Sequence, residues 1–283
     1  MTYGRMIKFS HTIFALPFAL SAVVLASREH TITFMAIFWI LIAMIGARSA
    51  AMGFNRIADV RFDAKNPRTS QRAIPAGKLS KASARLFVVL SSGLFIFASA
   101  MLGRLCFYFS FPVLAILFSY SFSKRFTWLC HLYLGFTISL APLGAWIALT
   151  NTFSWPVVFL SLGLMTYIAG FDILYACQDT DFDKKEGLFS IPAVLGIKKA
   201  LVISSVLHFF ALCFFCLIHI TFNMNLTYLL TVIIIGLLLF VEHLLVKPGD
   251  LSNVNIAFFH INSAISIILF VGILTNELIR RMT

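Results

Sequence analysis

Charge is scarce in this sequence. Only 12% of its 283 residues are Asp, Glu, Lys or Arg, against roughly 25% in soluble globular chains. Hydrophobic residues make up 60%, and the mean hydropathy is +0.95. Two soluble domains, which the length alone would allow, are thereby excluded, and a polytopic membrane protein is indicated. Acid is scarcest: 11 Asp and Glu stand against 22 Lys and Arg, for a net charge of +11. A basic nucleic-acid face needs a solvated surface, which this chain lacks, so no nucleic-acid partner is expected. Anionic lipid, an anionic substrate and topology account better for the excess.

Cysteine is also sparse. The five present (Cys106, Cys130, Cys177, Cys213, Cys216) all lie in apolar stretches. Cys213 and Cys216 are spaced like a redox pair but stand beside Leu212, Phe214 and Phe215, and read as helix-packing residues. No disulfide framework is implied. The seven histidines are scattered, none at a metal-ligand spacing from another His or Cys, so no zinc or haem site is expected. His11 opens the first apolar run, as core or cavity lining. Arg5 and Lys8 precede that run, and further apolar segments follow at once, so a retained first transmembrane helix is favoured over a cleaved signal.

Long apolar runs are what the sequence has in plenty. Runs long enough to cross a bilayer fall near 11–27, 32–54, 84–102, 105–122, 127–149, 154–178, 200–220, 226–246 and 254–275. The expected fold is an all-α integral membrane protein of about nine transmembrane helices in a single domain over 1–283. Apart from Arg28, Arg48, Arg104, Arg280 and Arg281, every Lys and Arg falls at the N-terminus or in an even-numbered connection. The positive-inside rule then puts the N-terminus and those connections in the cytoplasm and the C-terminus outside, as a multi-pass protein of a bacterial-type inner membrane. Only the connections 55–83 and 179–199 are long and polar, and function should lie there.

Those connections carry most of the acid. The first holds Asn55-x3-Asp59-x3-Asp63. The second holds Asp172-x2-Tyr175-Ala176-x2-Asp179-x3-Asp183. A spacing of four puts carboxylates on one helix face, about 6 Å apart, where like charges repel. Oxygen-only ligands on successive turns suit a hard divalent cation that takes its remaining ligands from water and a substrate phosphate. Mg²⁺ bridging carboxylates to a diphosphate is the natural chemistry. The pattern repeats: Asn55 to Tyr175, Asp59 to Asp179 and Asp63 to Asp183 are each 120 residues apart, and Ile74-Pro75-Ala76 recurs as Ile191-Pro192-Ala193. This suggests two four-helix repeats, about 1–125 and 126–250, plus a ninth helix near 254–275. Each repeat would give one acid set to a central cavity between them.

Cations for a phosphate are at hand. Arg48 lies inside the second span, two turns before Asn55, on one face with Asn55 and Asp59. An intramembrane arginine is costly and marks function. Arg68, Arg72 and Lys78 flank Pro67, Pro75 and Gly77 in a loop able to fold over the cavity. Lys124 and Arg125, at the end of the fourth span, could do the same or simply set topology. Asp172, two turns inside from Asp179, is expected to face the cavity, near an aromatic acceptor or a cation, with Tyr175 one turn on. Some of the 31 phenylalanines would line an apolar groove. A transporter, which also uses repeats and intramembrane charge, is the non-enzyme alternative.

These motifs resemble those of the UbiA-type intramembrane prenyltransferases, over nearly the whole chain. The first acidic motif matches the family's N-x3-D-x3-D, and the second its D-x2-Y-A-x2-D-x3-D without departure. Asn66-Pro67-Arg68-Thr69 with Arg72-Ala73-Ile74-Pro75-Ala76-Gly77 resembles the family's loop, with Gln71 and Ala73 where Asn and Pro are common. Val241-Glu242-His243, Lys247-Pro248, Asp250-Leu251-Ser252, Val254-Asn255 and Ala257-Phe258-Phe259 resemble the 4-hydroxybenzoate polyprenyltransferase branch, with Asn262-Ser263 in place of that branch's Asn-Gly. The resemblance implies Mg²⁺-dependent transfer of a polyprenyl group from its diphosphate to an aromatic acid in quinone biosynthesis. The acceptor would be 4-hydroxybenzoate, or another carboxylated aromatic of a menaquinone route. It implies one Mg²⁺ at Asp59 and Asp63 with Asn55, a second at Asp179 and Asp183, and Arg48 and Arg72 neutralising the diphosphate.

Overall fold

The computed structural model describes residues 2–6 and 14–282. His11 and Lys8 lie outside the described residues. Within them the chain is helical: α1 Thr2–Met6, α2 Leu16–Ala26, α3 Phe34–Ala58, α4 Val60–Lys65, α5 Lys81–Leu102, α6 Arg104–Ser123, α7 Cys130–Thr150, α8 Trp155–Ala176, α9 Thr180–Lys185, α10 Ile191–Leu195, α11 Ile197–Thr221, α12 Leu226–Leu245 and α13 Asn262–Met282. A π-helical turn, Ile256–Ile261, leads into α13. Eight of the helices are long and apolar enough to cross a membrane, and α2 is a shorter apolar helix.

The boundaries follow from local chemistry. Thr33, Ser80 and Ser190 accept hydrogen bonds from the backbone N–H three residues on, opening α3, α5 and α10. Pro156 and Pro192 sit where a helix's first turn needs no N–H donor. Gly103, at φ 135°, separates α5 from α6 with a backbone turn that a side chain would strain.

Two differences from the hydropathy pattern matter. The second span runs on to Ala58 rather than stopping near 54, so Asn55 stands on the helix and not in the connection. The last helix starts later, at Asn262, because residues 256–261 take the wider π turn first.

α8 is the central helix, packed on α7 and α11, while α3 pairs with α5, and α6 bridges α5 and α7. The core joins Phe18 of α2, Tyr167 of α8, Phe215 of α11, Tyr228 of α12 and Leu269 of α13. Without a hydrophobic drive between helices in lipid, close approach comes from small residues. A Cβ on Gly135 of α7 would lie 2.2 Å from the Met165 carbonyl oxygen of α8. The α3/α5 pair uses Gly46 and Gly53 in the same way, against Phe95 and Val88.

Candidate active site

Both acidic motifs sit at the same kind of helix break. α3 ends at Ala58, Asp59 leaves the helical path (φ −93°, ψ 4°), and α4 restarts at Val60. α8 ends at Ala176, a single 3-10 turn follows, Asp179 takes nearly the same conformation (φ −102°, ψ 6°), and α9 restarts at Thr180. Asp63 and Asp183 then fall in the first turns of α4 and α9, six residues each, where the helix dipole favours negative charge.

Asp59, Asp63, Asp179 and Asp183 are each held by a Lys or Arg. Arg72 Nη1 donates to Asp63 Oδ1 at 2.6 Å, and Arg56 Nη1 is 3.9 Å from Oδ2. Arg68 grips Asp179 through Nε, at 3.0 Å, and through Nη2. Asn66 Nδ2 donates to the same carboxylate at 3.1 Å. Lys124 Nζ is 3.4 Å from Asp183 Oδ2. Asn55 Nδ2 donates to Asp59 Oδ2 at 2.9 Å, and Arg125 Nη2 is 3.5 Å from Oδ1.

Several of these contacts cross between the motifs. Asn66 and Arg68 follow the first motif yet bind Asp179 of the second. Arg68 also donates to Tyr175 Oη at 2.6 Å and lies over that ring, 4.9 Å from its centroid. Lys65 reaches Glu186 at 2.5 Å. The two long polar connections therefore face each other, and Lys78 stays exposed.

The electrostatics follow from this packing. Burial and the neighbouring Asp63 charge push the Asp59 carboxyl above its ordinary value, against Arg125, Lys124 and Arg56. Burial disfavours the charged forms of Arg68 and Lys124. Asp179 and Tyr175 for Arg68, and Asp183 first for Lys124, nevertheless hold both pKa values above the ordinary ones.

Beside the motifs lies a chamber of about 420 Å³ between α3, α5, α6 and α7. Ala43, Ala47, Ala51, Phe95, Leu117, Leu134 and Gly144 line its apolar wall. Arg48, Asn55 and Tyr120 also line it. Arg48 and Asn55 thus share a face; Asp59, past the helix end, joins them through Asn55. Tyr120 lies within Coulombic reach of Asp59 and Asp172. Asp172 is not among the lining residues. It meets a histidine instead of a Lys or Arg: His131 Nδ1 is 2.7 Å from Oδ2.

Sequence reasoning missed Arg56, Tyr120 and His131 as neighbours of the motifs. Arg56 sits next to Asn55, and Tyr120 one helical turn before Lys124. His131 carries no spacing signal, because its partner is 41 residues away.

The donor set fits a hard divalent cation. It is all oxygen, Asp63 Oδ2 is buried without a hydrogen-bond partner, and Asp59 shows the repulsion that a cation would relieve. No three His, Cys, Asp or Glu side chains converge on one point among the described residues. Each motif offers two carboxylates, and the remaining ligands would be phosphate and water, the usual mode for Mg²⁺.

Residues 15–264 match the UbiA prenyltransferase family, to which this chain belongs. It is a membrane prenyltransferase, and the transporter reading is set aside. The 4-hydroxybenzoate octaprenyltransferase of Vibrio campbellii is 31% identical over 228 residues, covering 80% of this chain and 79% of that one. The structure of a UbiA homolog from Aeropyrum pernix K1 superimposes with a TM-score of 0.84 at 30% identity, over 96% of this chain and 98% of that one. A UbiA homolog from Archaeoglobus fulgidus, bound to DMAPP and Mg²⁺, shares the fold at 16% identity, with a TM-score of 0.74 over 97% and 99% of the two chains.

Proposed function

We propose that this chain transfers a polyprenyl group from polyprenyl diphosphate to an aromatic acid, with 4-hydroxybenzoate alkylated ortho to its hydroxyl, in ubiquinone biosynthesis. One observation carries this reading: two carboxylate pairs, joined by Arg68 of the first motif's loop gripping Asp179 of the second, stand beside a largely apolar chamber. The acceptor rests on the 241–259 stretch and on the activity for which the Vibrio relatives are named. The Ser263 departure keeps a carboxylated aromatic of a menaquinone route as the second reading.

Asn55, Asp59 and Asp63 would hold one Mg²⁺, and Asp179 and Asp183 a second. Bound there, the ions supply charge neutralisation to the diphosphate leaving group. Arg68, Arg72 and Lys124, now on the carboxylates, with Arg48 and Lys78, take diphosphate oxygens when the donor binds. The allylic C–O bond breaks toward the diphosphate, a bond forms from the ring carbon to the allylic carbon, and the ring proton leaves. The apolar chamber takes the isoprenoid tail and keeps water from the cation. Asp172 and Tyr175 act at the acceptor. The halves 1–125 and 126–250 each bring one acid set. The N-terminus and the motif loops face the cytoplasm, in a bacterial-type inner membrane.

The test is direct. Purified protein is incubated with Mg²⁺, a polyprenyl diphosphate and a panel of aromatic acids, and products are identified by mass. Prenylated 4-hydroxybenzoate is expected. Asp59→Ala and Asp183→Ala should each abolish product while leaving insertion and folding intact. Mg²⁺-dependent turnover in both variants would overturn the two-metal assignment.

A further inference from the structure

His131 is fully buried at the start of α7, where a polar ring is expensive without partners. It has two. Nδ1 is 2.7 Å from Asp172 Oδ2 on α8. On its other side the Ile191 backbone N–H, at the start of α10, donates to Nε2 at 3.4 Å. A backbone N–H only donates, so Nε2 is the acceptor and the ring proton sits on Nδ1, facing Asp172. Each ring nitrogen thus has its own neighbour, Asp172 at Nδ1 and the Ile191 backbone at Nε2.

From this geometry we propose that His131 is a positioning residue for Asp172, fixing its rotamer so that Oδ1 is the oxygen presented to the aromatic acceptor. Oδ1 has no hydrogen-bond partner among the described residues, and the Asp172 side chain keeps 21% of its surface. The same ring ties that carboxylate to the loop behind the second motif. Phe189 N–H donates to the Lys124 carbonyl at 2.7 Å, and Lys124 in turn holds Asp183. The acceptor group and the second acidic motif are thus set in register through one histidine. The inference rests on the reading that Asp172 acts at the acceptor, and the experiment separates the two.

Four proteins are compared in purified form with Mg²⁺, polyprenyl diphosphate and 4-hydroxybenzoate: His131→Phe, His131→Asn, Asp172→Asn and the double variant H131F/D172N. His131→Phe keeps the ring volume but loses the donor. Its kcat is expected to fall roughly tenfold to a hundredfold, the scale for losing a residue that orients a functional ligand, with KM for the diphosphate little changed. His131→Asn puts an N–H near the Nδ1 position and should recover most of kcat, which a purely space-filling role would not predict. In the Asp172→Asn background, His131→Phe should cost nothing further, since it acts through that carboxylate. Wild-type kcat in His131→Phe, no recovery in His131→Asn, or losses that multiply in the double variant would each overturn the inference alone. Wild-type kcat in Asp172→Asn would overturn the placement of Asp172 and the inference with it.

Discussion

At Asp59, burial and the charge of Asp63 raise the carboxyl above its ordinary 3.8. Between that value and the raised one, the folded chain binds more protons than the unfolded chain. Stability therefore falls as pH rises through this window, and above it the loss is complete. Asp59→Asn removes the charge and keeps the shape, so it should raise Tm of the metal-free protein at neutral pH while prenyl transfer is lost. The gain should shrink toward acidic pH. Thermal unfolding in detergent at several pH values reads this directly. A lower Tm than wild type at neutral pH would mean that the Arg125 contact at 3.5 Å outweighs the repulsion. At this scale the acids were legible in the sequence because their spacing is local and repeats. Their partners were less so. Arg68 meets Asp179 across 111 residues, and His131 meets Asp172 across 41. Only folding brings such pairs together, and no periodicity announces them.

Among the elements, apolar runs located the helices but misplaced some of their ends. Hydropathy falls where polar residues begin, yet a helix continues until its backbone is stopped. α3 carries Asn55 and Arg56 as helical residues before Asp59 breaks it. Near the C-terminus the apolar content of 254–261 hid a π turn. Helix contacts were not legible at all, since glycine marks a close approach only once the neighbour is known. Gly135 gives a sharp test. Its Cβ position is 2.2 Å from a backbone oxygen, which cannot yield as a side-chain end can. Gly135→Ala should destabilise by about 1–3 kcal/mol, the usual cost of overpacking. Gly93→Ala, on α5 with nothing within 4 Å of its Cβ position, should be neutral or stabilising by up to about 1 kcal/mol through helix propensity. Thermal unfolding of both variants, side by side, distinguishes interface from propensity.

For the whole molecule, the spacing of the chamber's lining residues sets what it can hold. On α3 the lining runs from Ile40 to Asn55, a rise of about 22 Å at 1.5 Å per residue. Among the α3 residues that line the chamber only Arg48 and Asn55 are polar, and Ala43, Ala47 and Ala51 recur every turn, so the helix presents a narrow, largely apolar face. An isoprenoid tail whose diphosphate lies at the acidic motifs would run along that face. Its length then decides how much of the wall it touches, because each added apolar group buried stabilises further. Ala47→Phe should block the path partway while leaving the motifs and their cations in place. A short allylic diphosphate, ending before the obstruction, should keep its kcat/KM. A long one should lose roughly tenfold or more, each decade being about 1.4 kcal/mol of lost transition-state binding. The measurement is kcat/KM for a ladder of donor lengths with one acceptor, in wild type and variant. An equal loss at every length would place the tail outside this chamber. A loss that sets in at one length would locate the Ala47 position along the chain and show that the chamber between α3, α5, α6 and α7 measures the donor.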